Sequence, residues 1–231
     1  MTVAGLVRAD LANLRRDPML LAAGLAPLLL AGLLFFGFDP LVAATADVVE
    51  LDKHRPVFVG GALLLTPMLI GFVVGFLLVE EREEKILDAV AVTPRGGDGF
   101  LIHRLALPGV VGALAAGGVG VGAGSLSYSR LAAVVVLAGA TAVLVTMVMA
   151  AVARDRVQAL AVSKLTGFLL VAAVAFQFVD GWWRVPLGLV PATWVVETVV
   201  ASNVWPAVGV GLVAHAAGIG LLWRRVHALV A

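Results

Sequence analysis

Apolar residues run in long blocks along this chain, and the polar residues gather in the gaps between them. A helix needs about 20 apolar residues to cross the hydrocarbon core of a bilayer. Six blocks meet that requirement: Met19–Phe38, Val57–Val79, Leu105–Gly124, Leu131–Ala153, Ala159–Val179 and Ala207–Trp223. In lipid every backbone N–H and C=O must find a partner within its own segment, so each block is predicted to be a helix. Pro27, Pro67 and Pro108 fall within these blocks, and neighbouring helices can satisfy the carbonyls they free. The split between the third and fourth blocks rests on Gly-Ser-Leu-Ser-Tyr-Ser-Arg, whose serines and Arg130 are poorly suited to the middle of a bilayer.

Composition agrees with this pattern. Hydrophobic residues make up 61% of the 231 positions and charged residues 13%, and the mean hydropathy is +1.07. Soluble domains are about 45–50% apolar, so lipid must cover much of this surface. The chain reads as one all-α integral membrane domain over 1–231, without internal repeats or a flexible linker. Its first apolar block begins only after Asp10 and Asp17 and ends without a small-residue cleavage site, so it reads as a retained helix.

Orientation follows from Lys and Arg. With both termini inside, the inner segments hold 12 of the 16 basic residues: Arg8, Arg15, Arg16, Arg82, Lys85, Arg95, Arg104, Arg154, Arg156, Lys164, Arg224 and Arg225. The outer segments hold Lys53, Arg55, Arg130 and Arg184. An even number of spans keeps the alternation, so the chain is predicted to have six spans and to sit multi-pass in a bacterial inner or plasma membrane.

Three segments do not span. Residues 2–16 place Val3, Leu6, Val7, Leu11 and Leu14 at helical spacing, which predicts an interfacial amphipathic helix. The plainer alternative is a basic anchor for the first span. The inner loop after the second span, about 80–94, opens with Glu80, Glu81, Glu83 and Glu84, which suit the positive end of a new helix. Ile86, Leu87 and Val90 follow as a narrow apolar stripe, Thr93-Pro94 ends the helix, and Gly96 and Gly97 form a turn. Such a helix suits docking another protein; a solvated connector is the alternative. The third segment, 180–206, holds Trp182, Trp183, Trp194 and Trp205 with Pro186, Pro191 and Pro206. It predicts two short interfacial or re-entrant helices, or simply an aromatic belt.

Candidate chemistry is sparse. Without cysteine there is no disulfide, thiolate metal site or cysteine nucleophile. No metal ligand set, Gly-x-Ser-x-Gly elbow or P-loop occurs, and no cofactor or nucleic-acid partner is expected. Within the spans, Lys164 can snorkel to the inner interface, His215 reads as a hydrogen-bonded packing residue, and Gln177 lies near an outer end. No carboxylate lies in the spans to pair with these groups, which disfavours ion-coupled transport. The glycines of the third span, from Gly109 to Gly124, suit close helix packing.

These pieces resemble the membrane-spanning permeases of type-2 ABC transporters. Arg16-Asp17-Pro18 followed by an apolar run ending in Phe35-Phe36-Gly37 is similar to that family's junction between interfacial helix and first span. Glu81-Arg82-Glu83, Leu87 and Thr93-Pro94 are similar to its signature after the second span, although Lys85-Ile86 stands where the family has Gly-Thr. The short first outer loop excludes the large external domain of some relatives. The resemblance implies that the loop after the second span is a coupling helix docking on a separate ATPase through Glu81, Arg82, Glu83, Ile86, Leu87, Val90, Thr93 and Pro94. It also implies a homo- or heterodimer of permeases in membrane lipid, with two ABC ATPase subunits.

The function expected is therefore export of an apolar or amphiphilic substrate, such as a drug, antibiotic or lipid-like molecule, with no covalent chemistry in this chain. A haem-exporter permease of cytochrome maturation is the alternative within the class. A lipid-modifying membrane enzyme and a non-transporting scaffold are the alternatives outside it.

Overall fold

The computed structural model describes residues 18–46, 50–87 and 96–229. The expected interfacial helix at 2–16 lies outside them. The described residues are helical with no strand among them. Helix α1 (Pro18–Gly32) runs through a π turn at Leu33–Gly37 into α2 (Phe38–Thr45). The first expected span is thus a helix with one wide turn near its end. A short 3-10 turn, Leu51–His54, leads into the longest helix, α3 (Arg55–Glu83), whose Pro56 sits in the first turn where its missing N–H costs nothing. Then come α4 (Gly96–Ala123), α5 (Tyr128–Val152) and α6 (Arg156–Ala175). Two short helices, α7 (Arg184–Gly188) and α8 (Thr193–Val200), precede the last, α9 (Val204–His227).

Five of these segments are long and apolar enough to cross a membrane: Leu51–Glu83, Gly99–Ala123, Tyr128–Val152, Arg156–Ala175 and Val204–His227. The expected turn at Gly96 and Gly97 is not one, because α4 already begins at Gly96. The actual break lies at the other end of α4. Gly124 adopts φ +65°, the left-handed conformation that closes a helix, and the Ser127 side chain caps α5 by accepting from Arg130 N–H at 3.4 Å.

Helix α3 is the axis of the bundle. The most apolar stretch of its span is 83% buried, against 17% for that of α9, so α3 is wrapped by protein and α9 is left to face its surroundings. Close approach of helices makes this possible. A Cβ added at Gly71 would stand 2.6 Å from the Ala142 carbonyl of α5, and one at Gly139 would stand 2.9 Å from the Gly109 carbonyl of α4. Small residues allow such contacts between helices in lipid. Several glycines of α4, Gly118 and Gly122 among them, have no neighbour within 4 Å, so only part of that glycine run serves packing.

Buried hydroxyls are satisfied at close range. Thr66 and Thr146 each donate to the carbonyl four residues earlier, at 2.9 Å, and the Thr141 hydroxyl lies 2.9 Å from the Leu137 carbonyl. Thr146 also lies 3.1 Å from the Gly71 carbonyl, which joins α5 to α3. The tryptophan-rich segment does form two short helices. Helix α8 goes further than an interfacial cap, burying Val195, Val196 and Val199 against the first half of α3 and α5. Arg130 holds its end in place, donating to the carbonyls of Val199 at 2.6 Å and Ala201 at 2.7 Å.

Candidate functional site

The acidic run after the second span closes one helix, and helical backbone resumes only at Ile86 and Leu87. Glu80–Glu83 are the last residues of α3, and Lys85, at φ +58°, turns the chain out of it. At that end the helix dipole is negative and repels carboxylates. Cations carried by other helices compensate. Arg156, at the start of α6, reaches Glu80 at 2.6 Å, Glu84 at 3.0 Å and Glu83 at 3.7 Å. Its backbone N–H adds a bond to Glu83 at 3.3 Å. Arg104 of α4 pairs with Glu81, Nε donating to Oε2 at 3.0 Å and Nη2 to Oε1. Arg82 completes the joint by donating to the Ala153 carbonyl between α5 and α6, at 3.4 Å.

Four carboxylates (Glu80, Glu81, Glu83, Glu84) therefore meet the guanidinium groups of Arg104 and Arg156 where α3, α4 and the α5–α6 turn converge. Among the described residues no group of three or more His, Cys, Asp or Glu is placed to hold a metal ion. The arrangement fixes the ends of three helices as one unit and leaves Glu83, Glu84, Lys85 and Ile86 exposed.

The residues expected to dock a partner are not all on that surface. Ile86 is 39% exposed, but Leu87 is 2% exposed and packs with Phe100, Leu101, Leu105 and Val226. Leu87 joins the end of α3 to α4 and α9 rather than offering an edge. Glu81 and Arg82 are half-buried in the ion-pair joint, and Glu83 faces out. Val90, Thr93 and Pro94 lie outside the described residues. Sequence reading placed all these residues in one loop but missed the joint. The available signal was the arginines at 104 and 156, assigned to the same membrane side as the glutamates.

Of the polar groups within the spans, His215 plays a structural part. His215 of α9 is 1% exposed; its Nδ1 donates to the Gly211 carbonyl at 2.7 Å, and its Nε2 lies 2.8 Å from the Thr141 hydroxyl of α5. It ties the peripheral last helix to the core. Lys164 is exposed on α6, and Gln177 keeps a buried Nε2 without a hydrogen bond.

At the opposite end of the bundle, a cavity of about 490 Å³ opens between α1–α2, α3 and α6. Of its lining side chains only His54 is polar.

The family comparison decides the class. Residues 10–223 match the Rv2686c-like family model, described as fluoroquinolones export permease protein. The chain belongs to the Rv2686c-like family. No curated protein and no solved structure matches it significantly. As a member of the Rv2686c-like family it is a multi-pass membrane permease of an export system. The matched region takes in the ion-pair joint, the cavity and the His215 tether together.

Proposed function

We propose that this chain is the membrane subunit of an ATP-driven ABC exporter that moves drug-like amphiphiles, fluoroquinolones included, out of the cell. The observation that carries this reading is the match to an export-permease family over 10–223 in a chain that has no P-loop of its own. Two copies, or one copy and a paralogue, work with two separate ATPase subunits. The ion-paired joint of Glu80–Glu84 with Arg104 and Arg156 lies on the cytoplasmic side, where the excess of basic residues belongs. Ile86 and the exposed charges around it meet the ATPase. Movement there reaches α3, α4 and α6 as a unit because the ion pairs hold their ends together.

The experiment is uptake of norfloxacin into everted membrane vesicles containing the permease and its co-expressed ATPase. ATP-dependent accumulation, lost when the ATPase carries a P-loop Lys→Ala change, is expected. Accumulation that persists with that change, or nucleotide binding by the permease alone, would overturn the division of labour. The orientation is read separately with single cysteines, which the cysteine-free chain permits. An impermeant maleimide added to intact cells should label Asp52→Cys and Asp180→Cys but not Asp155→Cys.

A further inference from the structure

The cavity between α1–α2, α3 and α6 has the dimensions of a ligand site. Its volume of about 490 Å³ falls in the range of about 300–1,000 Å³ typical of small-molecule pockets. Water has little hold there, since a bound water needs several polar partners and the wall is carbon apart from His54. Aromatic rings flank it. Phe38 and Phe58 lie 5.6 Å apart with planes tilted by 60°, and His54 and Phe178 lie 5.4 Å apart with planes tilted by 55°. Tilted rings present both faces and edges, which suits a flat aromatic guest more than a flexible acyl chain.

The charges beside the cavity narrow the choice further. Arg55, next to His54, is held by Asp39 at 2.6 Å and Asp52 at 2.9 Å. Lys53 is paired with Glu50. Among the described residues the rim thus carries two carboxylates for one guanidinium, with Lys53 and Glu50 cancelling, and the Arg55 guanidinium itself stands 4.7 Å over the Phe38 ring. A surplus of negative charge repels a lipid phosphate and favours a neutral or cationic polar end.

We propose that this cavity binds the exported cargo as a planar aromatic amphiphile with a neutral or cationic end, its flat body among Phe38, Phe58 and Phe178 and its polar end at His54. The assignment of cargo rests on the export reading, whereas binding is measured on the permease alone.

Gly61 provides the test. It lines the cavity, and a Cβ added there meets nothing closer than Leu170 and Val174, both at 3.9 Å. Gly61→Cys therefore fits, and because the chain has no other cysteine the folded protein can be plugged afterwards with N-ethylmaleimide. Gly118→Cys on α4, with open space around it, is the control. The probe is ethidium, followed by fluorescence on the permease in nanodiscs. Saturable binding is expected, weakened by about tenfold or more when Gly61→Cys is alkylated and unchanged when Gly118→Cys is. Bound ethidium should also slow alkylation of Gly61→Cys. Binding that survives the plug, or no saturable binding at all, would overturn the proposal. So would a phospholipid that native mass spectrometry finds retained at saturating ethidium. Norfloxacin export that persists in plugged Gly61→Cys would leave the export reading intact and overturn the cavity as the cargo site. Failure of the parent to export while ethidium binding responds to the plug would overturn the export reading alone.

Discussion

The guanidinium of Arg104 on α4 lies against the carboxylate of Glu81 at the end of α3, and the arginine is 2% exposed. The two residues are 23 positions apart, and the pair ties the end of α3 to α4. The face of the Phe100 ring lies 5.6 Å from the guanidinium and shields it further. A charge buried this deeply depends on its partner.

Neutralising either side alone should therefore be costly. Glu81→Gln or Arg104→Met is expected to destabilise the fold by about 3–5 kcal/mol, the usual loss when one half of a buried pair is removed. The double change Glu81→Gln/Arg104→Met should cost less than the sum of the single changes. Thermal melts of the four proteins in detergent read this directly, and strict additivity would show that the two side chains act independently.

Ile86 and Leu87 are sequence neighbours with different surroundings, so the same substitution should separate them. Leu87→Asp places a charge among Phe100, Leu101, Leu105 and Val226, and the lost burial alone is worth about 1.5–3 kcal/mol. It should lower the melting temperature and the yield of folded permease. Ile86→Asp touches an exposed side chain and should leave melting unchanged while weakening co-purification of the ATPase. Full co-purification and transport in Ile86→Asp would remove this residue from the docking surface.

The tether between Thr141 and His215 tests how much a hydrogen bond contributes inside the bundle. Thr141→Val keeps the shape and removes the hydroxyl that faces Nε2 at 2.8 Å. In water-soluble proteins an orphaned buried group costs about 1–3 kcal/mol. In lipid the unfolded reference also finds partners, and the coupling averages about 0.6 kcal/mol with a maximum near 1.7. The lower range is the expected one. A double-mutant cycle with His215→Leu, read by denaturant titration in mixed micelles, gives the number, and a coupling of zero would mean the contact is incidental.

Packing at Gly71 should tolerate no side chain. A methyl group there would press on the Ala142 carbonyl at 2.6 Å and on Val145 Cβ at 2.9 Å, both on a buried helix. Gly71→Ala is expected to cost about 1–3 kcal/mol, in line with overpacking elsewhere. Gly118→Ala on α4 should cost little because nothing lies within 4 Å. Equal melting temperatures for the two variants would contradict the placement of α3 against α5.

Much of this architecture is legible in the sequence because lipid enforces it. Long apolar blocks have no alternative to helix, and they mark α3, α5, α6 and α9 within a few residues of their ends. Gly124 and Ser127 are visible turn and capping residues. What stayed hidden depends on contacts between distant segments. Nothing local distinguishes Leu87 from Ile86, yet one is buried and the other is not. The glutamates at 80–84 are as consistent with the start of a helix as with its end, and only Arg104 and Arg156 decide between the two. The close contacts of Gly71 and Gly75 are not legible locally, because the glycine run of α4 is the conspicuous one and the two glycines of α3 meet α5 as closely as Gly109 and Gly112 do.

The π turn at Leu33–Gly37 has one further consequence. A turn of this kind accommodates a single extra residue in an otherwise regular helix. Wound as ordinary α-helix, the same residues would swing everything after them by about 100° about the axis. Leu30 before the wide turn, Leu34 within it, and Phe38 and Leu41 after it share one wall of the cavity because that surplus residue is absorbed along the turn. The chain carries a measured length of slack there, and this slack keeps the two halves of its first helix in phase.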